Sequence, residues 1–244
     1  MNEMQIKKFD WFFSEDFDKG RVAKLDKEEL RHLKVKRDKK GDSVCVFDGK
    51  GRVGLGIIDN KGAVFIEQIF NFEDKDFLTI AVAVPKGKRV DLLIAKLTEL
   101  GVSKIIPMKT EYSVVEPSLN KQERWKRLLI ESCKQCKRPC IPQIEKYTTF
   151  SEVIKMKYDF KIILDMDGEA ISHFDFAIPD NVLAIIGPEG GFSADEIIAA
   201  SDGVFKRVKI NDDILRVETA AIALGSIVMS RKITSPPAEN PSYY

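Results

Sequence analysis

From Leu78 onward, short apolar runs rich in β-branched residues alternate with segments of helical period, and this alternation constrains the fold more than any other feature of the chain. The runs Leu78 to Val84, Lys104 to Met108, Phe160 to Leu164, Val182 to Ile186 and Phe205 to Ile210 read as strands buried on both faces, as in a parallel sheet covered by helices. Between them, Arg89 to Leu100 places Val90, Leu93, Ile94 and Leu97 on one helical face and stops at Gly101. Gln122 to Gln135 repeats the pattern with Trp125, Leu128 and Leu129. A last helix, from about Glu218 to Ser230, is apolar almost all round and suits a core or a subunit interface. This α/β domain is placed at residues 77–232. Residues 233–244, with Ser235-Pro236-Pro237 and Pro241, cannot extend the helix and read as a loose tail.

Residues 1–72 have a different rhythm. Val44 to Phe47, Val53 to Ile58 and Ala63 to Ile69 are separated by Asp48-Gly49 and Asn60-Lys61-Gly62, the pattern of β-hairpins in a small barrel. One helix interrupts them, with Asp26 as N-cap and Glu29 completing a capping box. Asn71 to Asp76 is polar and aperiodic, which marks the domain boundary.

Lys plus Arg total 39 against 38 Asp plus Glu, so no global charge draws the chain to nucleic acid, and any basic surface is local. Three basic groups stand out: Arg31 to Lys40, Lys86 to Arg89 and Lys134 to Arg138. Together they could line one RNA groove, although basic runs are commonly just solvated faces. No apolar leader and no long apolar span is present, which predicts a cytoplasmic protein without membrane segments. Cys133, Cys136 and Cys140 are crowded as no disulfide framework would be, and no fourth Cys or His lies near to complete a metal site. We therefore expect free thiols and no metal. His32 and His173 stand alone and read as surface or capping residues.

Two strand-to-helix junctions carry the chemistry. Gly187-Pro188-Glu189-Gly190-Gly191 follows an apolar strand and precedes the capping box Ser193 to Glu196. Paired glycines there let a ligand approach the backbone at a helix N-terminus, while the bland alternative is a tight turn. The run is neither a dinucleotide fingerprint nor a phosphate-binding loop, which disfavours Rossmann enzymes and NTPases. The second junction, Asp212 to Ala220, is polar up to the start of a buried helix. Glu218 and Thr219 can serve that helix as caps, whereas Arg216 has no such structural role. A third motif, Asp165-Met166-Asp167-Gly168, resembles the nucleophile motif of haloacid-dehalogenase phosphatases, but Glu169 stands where those enzymes carry Thr.

Taken with Trp11-Phe12-Phe13, His32-Leu33-Lys34, Phe47-Asp48-Gly49, Pro85 to Asp91, Lys96 to Val102, Glu123-Arg124-Trp125, Gln135 and Arg138, the two junctions make the chain resemble the RsmE family. Those enzymes methylate N3 of a uridine in 16S ribosomal RNA. The resemblance implies an N-terminal PUA-like barrel for RNA and a C-terminal SPOUT domain with a deep trefoil knot. It further implies a homodimer that uses S-adenosylmethionine as cofactor and acts on the assembled small ribosomal subunit. By position, the cofactor would be held by Leu164, Asp165, Ile186, Gly187, Pro188, Glu189, Gly190, Gly191, Ile210, Asp213, Leu215 and Arg216. RNA would meet Arg31, Lys34, Lys36, Arg37, Lys86, Lys88, Arg89 and Arg138. Arg216 is expected to steady charge developing on the uracil, and Glu218 to accept a proton. Two departures stand out: Tyr112 replaces an expected Arg, and Asn211-Asp212-Asp213 replaces a Gly-containing turn. The competing readings are a non-catalytic RNA-binding or ribosome-assembly protein on the same fold, and the phosphatase.

Overall fold

A computed structural model describes residues 3–15, 17, 22–36, 40–59, 61–74, 76–116, 119–173 and 181–234. The chain forms two compact units, Met1–Lys75 with Leu119–Pro142, and Asp76–Ser118 with Gln143–Tyr244. In chain order the elements begin with α1 (Glu3–Ile6), β1 (Trp11–Phe13), β2 (Val22–Lys24), α2 (Lys27–Lys36), β3 (Ser43–Phe47), β4 (Arg52–Ile58) and β5 (Ala63–Asn71). Then come β6 (Leu78–Ala83), α3 (Arg89–Glu99), β7 (Lys104–Lys109), α4 (Leu119–Cys136), β8 (Gln143–Ile144), β9 (Thr148–Thr149) and α5 (Phe150–Val153). The chain continues with β10 (Phe160–Ala170), β11 (Val182–Ile186), α6 (Ala194–Asp202), β12 (Lys206–Lys209) and α7 (Val217–Thr234).

The first unit is a five-stranded sheet in the order β1-β3-β4-β5-β2, with both predicted hairpins formed. Asp26 caps α2 as expected, its Oδ1 accepting from the backbone N–H of Glu28 and Glu29 at 2.8 Å each. Alternation along β3 sends Val44 and Val46 into a core with Phe12, Phe17 and Ile66, and Cys45 and Phe47 into a second core with Trp11, Val53 and Leu55. That second face needs a cover, and α4 supplies it, with Ile130 and Cys133 packed against it. Trp125, Leu129 and Cys133 recur every fourth residue and are all buried, a single helical stripe. At the end of α4, Lys137 takes a φ of 59° and the Arg138 N–H reaches back to the Cys133 carbonyl at 3.0 Å, closing the helix as a Schellman turn. The first unit takes in Met1–Lys75, and Leu119–Pro142 belongs with it and not with the α/β unit. An amphipathic stripe tells that a helix is covered, not which sheet covers it.

Glu29 departs from the capping-box expectation. Its carboxylate turns inward, where Lys134 Nζ donates to Oε1 at 2.6 Å with both side chains 4% exposed. Lys134 also lies 3.1 Å from His32 Nδ1. Burial pushes the Glu29 carboxyl above its ordinary range while the Lys134 hydrogen bond opposes it. Burial and the Lys134 charge both push His32 down.

In the second unit every strand pairing is parallel, in the order β12-β10-β11-β6-β7-β8, with β9 also on β7. One face packs Ala81, Ile106, Ile163, Leu183 and Ile185 against Phe150 and Val153 of α5 and Ala200 of α6. The other carries α7, which packs on α3, β6 and β11 and buries Ala221, Leu224 and Val228 completely. Among the described residues no helix is long and apolar enough to cross a membrane. Helix α7 runs on through Ile233 and Thr234, the first two residues of the predicted tail 233–244, and the rest of that tail lies outside the described residues.

Two outcomes follow for the first unit. Lys134→Met strands a buried carboxylate and should cost about 3–5 kcal/mol in urea unfolding, most of it recovered by adding Glu29→Gln. Burial pushes the thiols of Cys45 and Cys133 up to about 12 and that of Cys140 up to about 11, so at pH 8 the half-buried Cys136 should be alkylated first by iodoacetamide, as peptide mass spectrometry would show.

Candidate functional site

A parallel sheet brings the carboxyl ends of its strands to one edge, and there the second unit has a cavity of about 630 Å3. That volume suits a small-molecule ligand. Its walls come from the end of β10, from the β11–α6 junction and from the β12–α7 junction. Of the sequence-predicted cofactor residues, Leu164 and Asp165 lie in the first wall, Ile186 through Gly191 in the second, and Ile210, Asp213 and Leu215 in the third. Arg216 is outside the lining: its side chain is exposed and its carbonyl accepts the first hydrogen bond of α7, from Ala220 N–H at 2.8 Å.

The glycine junction is built as its sequence suggested. Gly191 holds a φ of 74°, open only to glycine without strain, and its N–H closes a turn on the Pro188 carbonyl at 2.9 Å. A Cβ on Gly187 would meet the Phe192 ring at 3.0 Å. The capping box forms in full, Ser193 Oγ accepting from Glu196 N–H at 3.3 Å and Glu196 Oε2 from Ser193 N–H at 3.0 Å. Tyr112 packs beside Gly190 from the turn after β7.

The β10 wall was not legible in advance. The strand does not stop at Leu164 but runs to Ala170, with a break in its pairing to β12 between Leu164 and Glu169. Gly168 permits this, because a Cβ there would sit 2.5–2.7 Å from the Val208 backbone. Arg207 then spans both acids of the bulge, Nε donating to Asp165 Oδ2 at 3.0 Å and Nη2 to Asp167 Oδ2 at 3.2 Å. Those bonds hold the Arg207 pKa above its ordinary value. Asp165 and Asp167 are therefore ion-paired to a cation from the next strand, which removes the phosphatase reading: a carboxylate committed to a guanidinium is a poor nucleophile. Arg207 and Lys209 line the cavity and were missed, since Phe205 to Ile210 reads as a buried strand in which the charged residues have no evident role.

The predicted catalytic pair separates. Glu218, in the first turn of α7, is only 5% exposed and is not part of the cavity wall. Its Oε2 has no hydrogen-bond partner among the described residues, and Arg89 Nη1 stands 4.0 Å away. Arg89 itself donates to Glu189 at 3.0 Å.

The predicted RNA-contacting cations also divide. Arg31, Lys34, Lys36, Lys86 and Lys88 are exposed, Lys36 pairing with Asp10 at 2.9 Å. Arg37 lies outside the described residues. The third basic group is consumed within the first unit: Lys134 is buried, Lys137 Nζ donates to the Phe9 carbonyl at 2.8 Å, and Arg138, 12% exposed, pairs with Asp74 at 2.8 Å. Arg138 is thereby withdrawn as a free phosphate contact.

Comparison with known proteins agrees with this geometry. A family model described as an RNA methyltransferase domain matches residues 73–229, and one described as an RNA methyltransferase PUA domain matches residues 25–69. The ribosomal RNA small subunit methyltransferase E of Aquifex aeolicus is 31% identical over 227 residues, covering 90% of this chain and 98% of that protein. That of Bacillus subtilis is 30% identical, covering 82% and 87%. A Legionella pneumophila protein solved with its cofactor SAM bound matches with a TM-score of 0.82 at 27% identity, covering 91% of this chain and 98% of that one.

Gly168→Ala should force β10 away from β12 and lower stability by about 1–3 kcal/mol in thermal unfolding, whereas Gly190→Ala, with 3.5 Å of clearance, should leave the melting temperature near wild type.

Proposed function

We infer from the ribosomal RNA small subunit methyltransferase E family, to which this chain belongs, that the protein methylates ribosomal RNA of the small subunit with S-adenosylmethionine. We propose that the acceptor is N3 of a uridine in 16S ribosomal RNA. The observation that carries this reading is the cavity at the carboxyl edge of the sheet, walled by the very loops that the sequence singled out.

The residues present suit the cofactor. Leu164, Ile186 and Leu215 offer apolar surface to an adenine ring, the glycine junction offers close backbone approach, and Asp165 and Glu189 offer acceptors for hydroxyl and amino groups. When bound, S-adenosylmethionine supplies a methyl group on a sulfonium centre. Uracil N3 attacks well only after losing its proton, so the protein must stabilise a developing negative charge. Arg216, exposed between two residues of the cavity wall, is the cation proposed to do so. The proton-acceptor role suggested for Glu218 would require its carboxylate to leave a buried position facing Arg89. Arg31, Lys34 and Lys36 on α2 and Lys86 and Lys88 before α3 are the proposed phosphate contacts.

The same proposal includes action on the assembled subunit, a homodimer, a cytoplasmic location and the trefoil knot. The knot is supported by the chain path, since β12 is laid on the far side of β10 and α7 then returns to β6 and β11.

Ribosomal RNA from cells with and without the gene should differ by one N3-methyluridine in mass spectrometry. Purified protein should bind S-adenosylmethionine in calorimetry; an absence of heat would favour the RNA-binding or assembly reading. Arg216→Ala should lower the methylation rate roughly 10²-fold with cofactor affinity retained, and a near wild-type rate would remove Arg216 from the mechanism.

A further inference from the structure

We propose that Arg89 is a positioning residue, the shared counter-ion of Glu189 and Glu218 that fixes two walls of the cofactor cavity relative to each other. The inference rests on the methyltransferase reading above.

Arg89 opens α3, directly after the β6–α3 loop. From there its Nε points to the Lys86 carbonyl of its own loop at 3.4 Å, and its Nη1 donates to Glu189 Oε1 at 3.0 Å and lies 4.0 Å from Glu218 Oε2. One guanidinium therefore joins three segments, each from a different strand-to-helix junction. Glu189 is part of the cavity lining, and Glu218 sits in the helical turn whose Val217 and Ala220 line it too. Whatever sets the distance from Glu189 to Glu218 also sets the width of the cavity between the glycine junction and α7.

The charges make that distance depend on Arg89. The Glu218 side chain is 6% exposed and its Oε2 has no hydrogen-bond partner among the described residues. The N-terminus of α7 offers it partial compensation, and Arg89 Nη1, 4.0 Å away, is the cation paired with that oxygen among the described residues. Without Arg89, a buried carboxylate would face the Glu189 carboxylate with nothing between them. Like charges and desolvation would both drive α7 away from the glycine junction, toward water. A guanidinium suits this place because it is a flat fork with several donors, whereas an ammonium is a point charge. Lys86 and Lys88, exposed on the same loop, keep the RNA-facing role that the sequence assigned to all three cations; Arg89 is turned from that role to the cavity.

The test measures S-adenosylmethionine affinity by calorimetry and affinity for a 16S ribosomal RNA fragment at several salt concentrations. The proteins compared are wild type, Arg89→Met, Arg89→Lys, Glu218→Gln and Arg89→Met with Glu218→Gln. Arg89→Met should weaken cofactor binding about tenfold, the scale of coupling between contacting charged groups. Adding Glu218→Gln should restore most of that loss, because the stranded charge is gone. Arg89→Lys should fall between wild type and Arg89→Met, and it keeps the inference testable if Arg89→Met does not fold. RNA affinity and its salt dependence should not change. The inference is overturned if Arg89→Met or Arg89→Lys binds cofactor as wild type does, or if Glu218→Gln restores nothing. It is also overturned if the loss appears in RNA affinity with a salt slope reduced by about 1, the mark of a phosphate contact. A wild-type protein that binds no S-adenosylmethionine overturns the methyltransferase reading itself, and this inference with it.

Discussion

Parallel pairing throughout the second unit is the constraint on which the site depends. It gathers the chain reversals after β6, β10, β11 and β12 at one edge, so residues far apart in sequence meet without any of them needing a long loop. The hydrophobic sheet fixes where those reversals start, but not how far apart their tips stand. That second task falls to charge. Arg207 ties the β10 bulge to β12 through Asp165 and Asp167, and Arg89 joins the glycine junction to the start of α7 through Glu189 and Glu218. Solvent-exposed ion pairs are worth little in water, yet the work of these two is geometric, since each links two walls of the cavity.

The sequence was most informative where a local pattern dictates local structure. Val182–Ile186 forms over the span its apolar run suggested, and Asp26 and Ser193 cap the helices they precede, because strand burial and helix capping are decided within a few residues. Legibility failed where the deciding partner was remote. Asp165 to Gly168 looks like the polar end of a strand, and nothing local reveals that β10 continues past it against Val208. Arg138 and Arg89 looked like free cations because their carboxylates lie 64 and 100 residues away in sequence. The cavity-wall loops were more legible than single side chains for the same reason: loops at strand ends follow from the fold, whereas the direction of a single side chain depends on what it finds to pair with.

The first unit shows a related balance. Its sheet is apolar on both faces, and the two cores account for the near-continuous burial of β3. Against this background the Glu29–Lys134 pair is costly, since two charges lose their water and one carboxylate oxygen has no partner among the described residues. What it supplies is specificity: a helix that could slide along an apolar surface is held at the register where its buried Lys134 meets the buried Glu29 of α2.

That helix arrives late in the chain. The sheet it covers is complete in sequence by Asn71, but α4 does not begin until Leu119, after β6, α3 and β7 have passed. During synthesis, Phe47, Val53 and Leu55 must therefore wait bare while part of the other unit leaves the ribosome. The two units are woven into a single order of assembly, and a fragment cut at the apparent linker near Lys75 would be a sheet with one face open to water rather than an RNA-binding module.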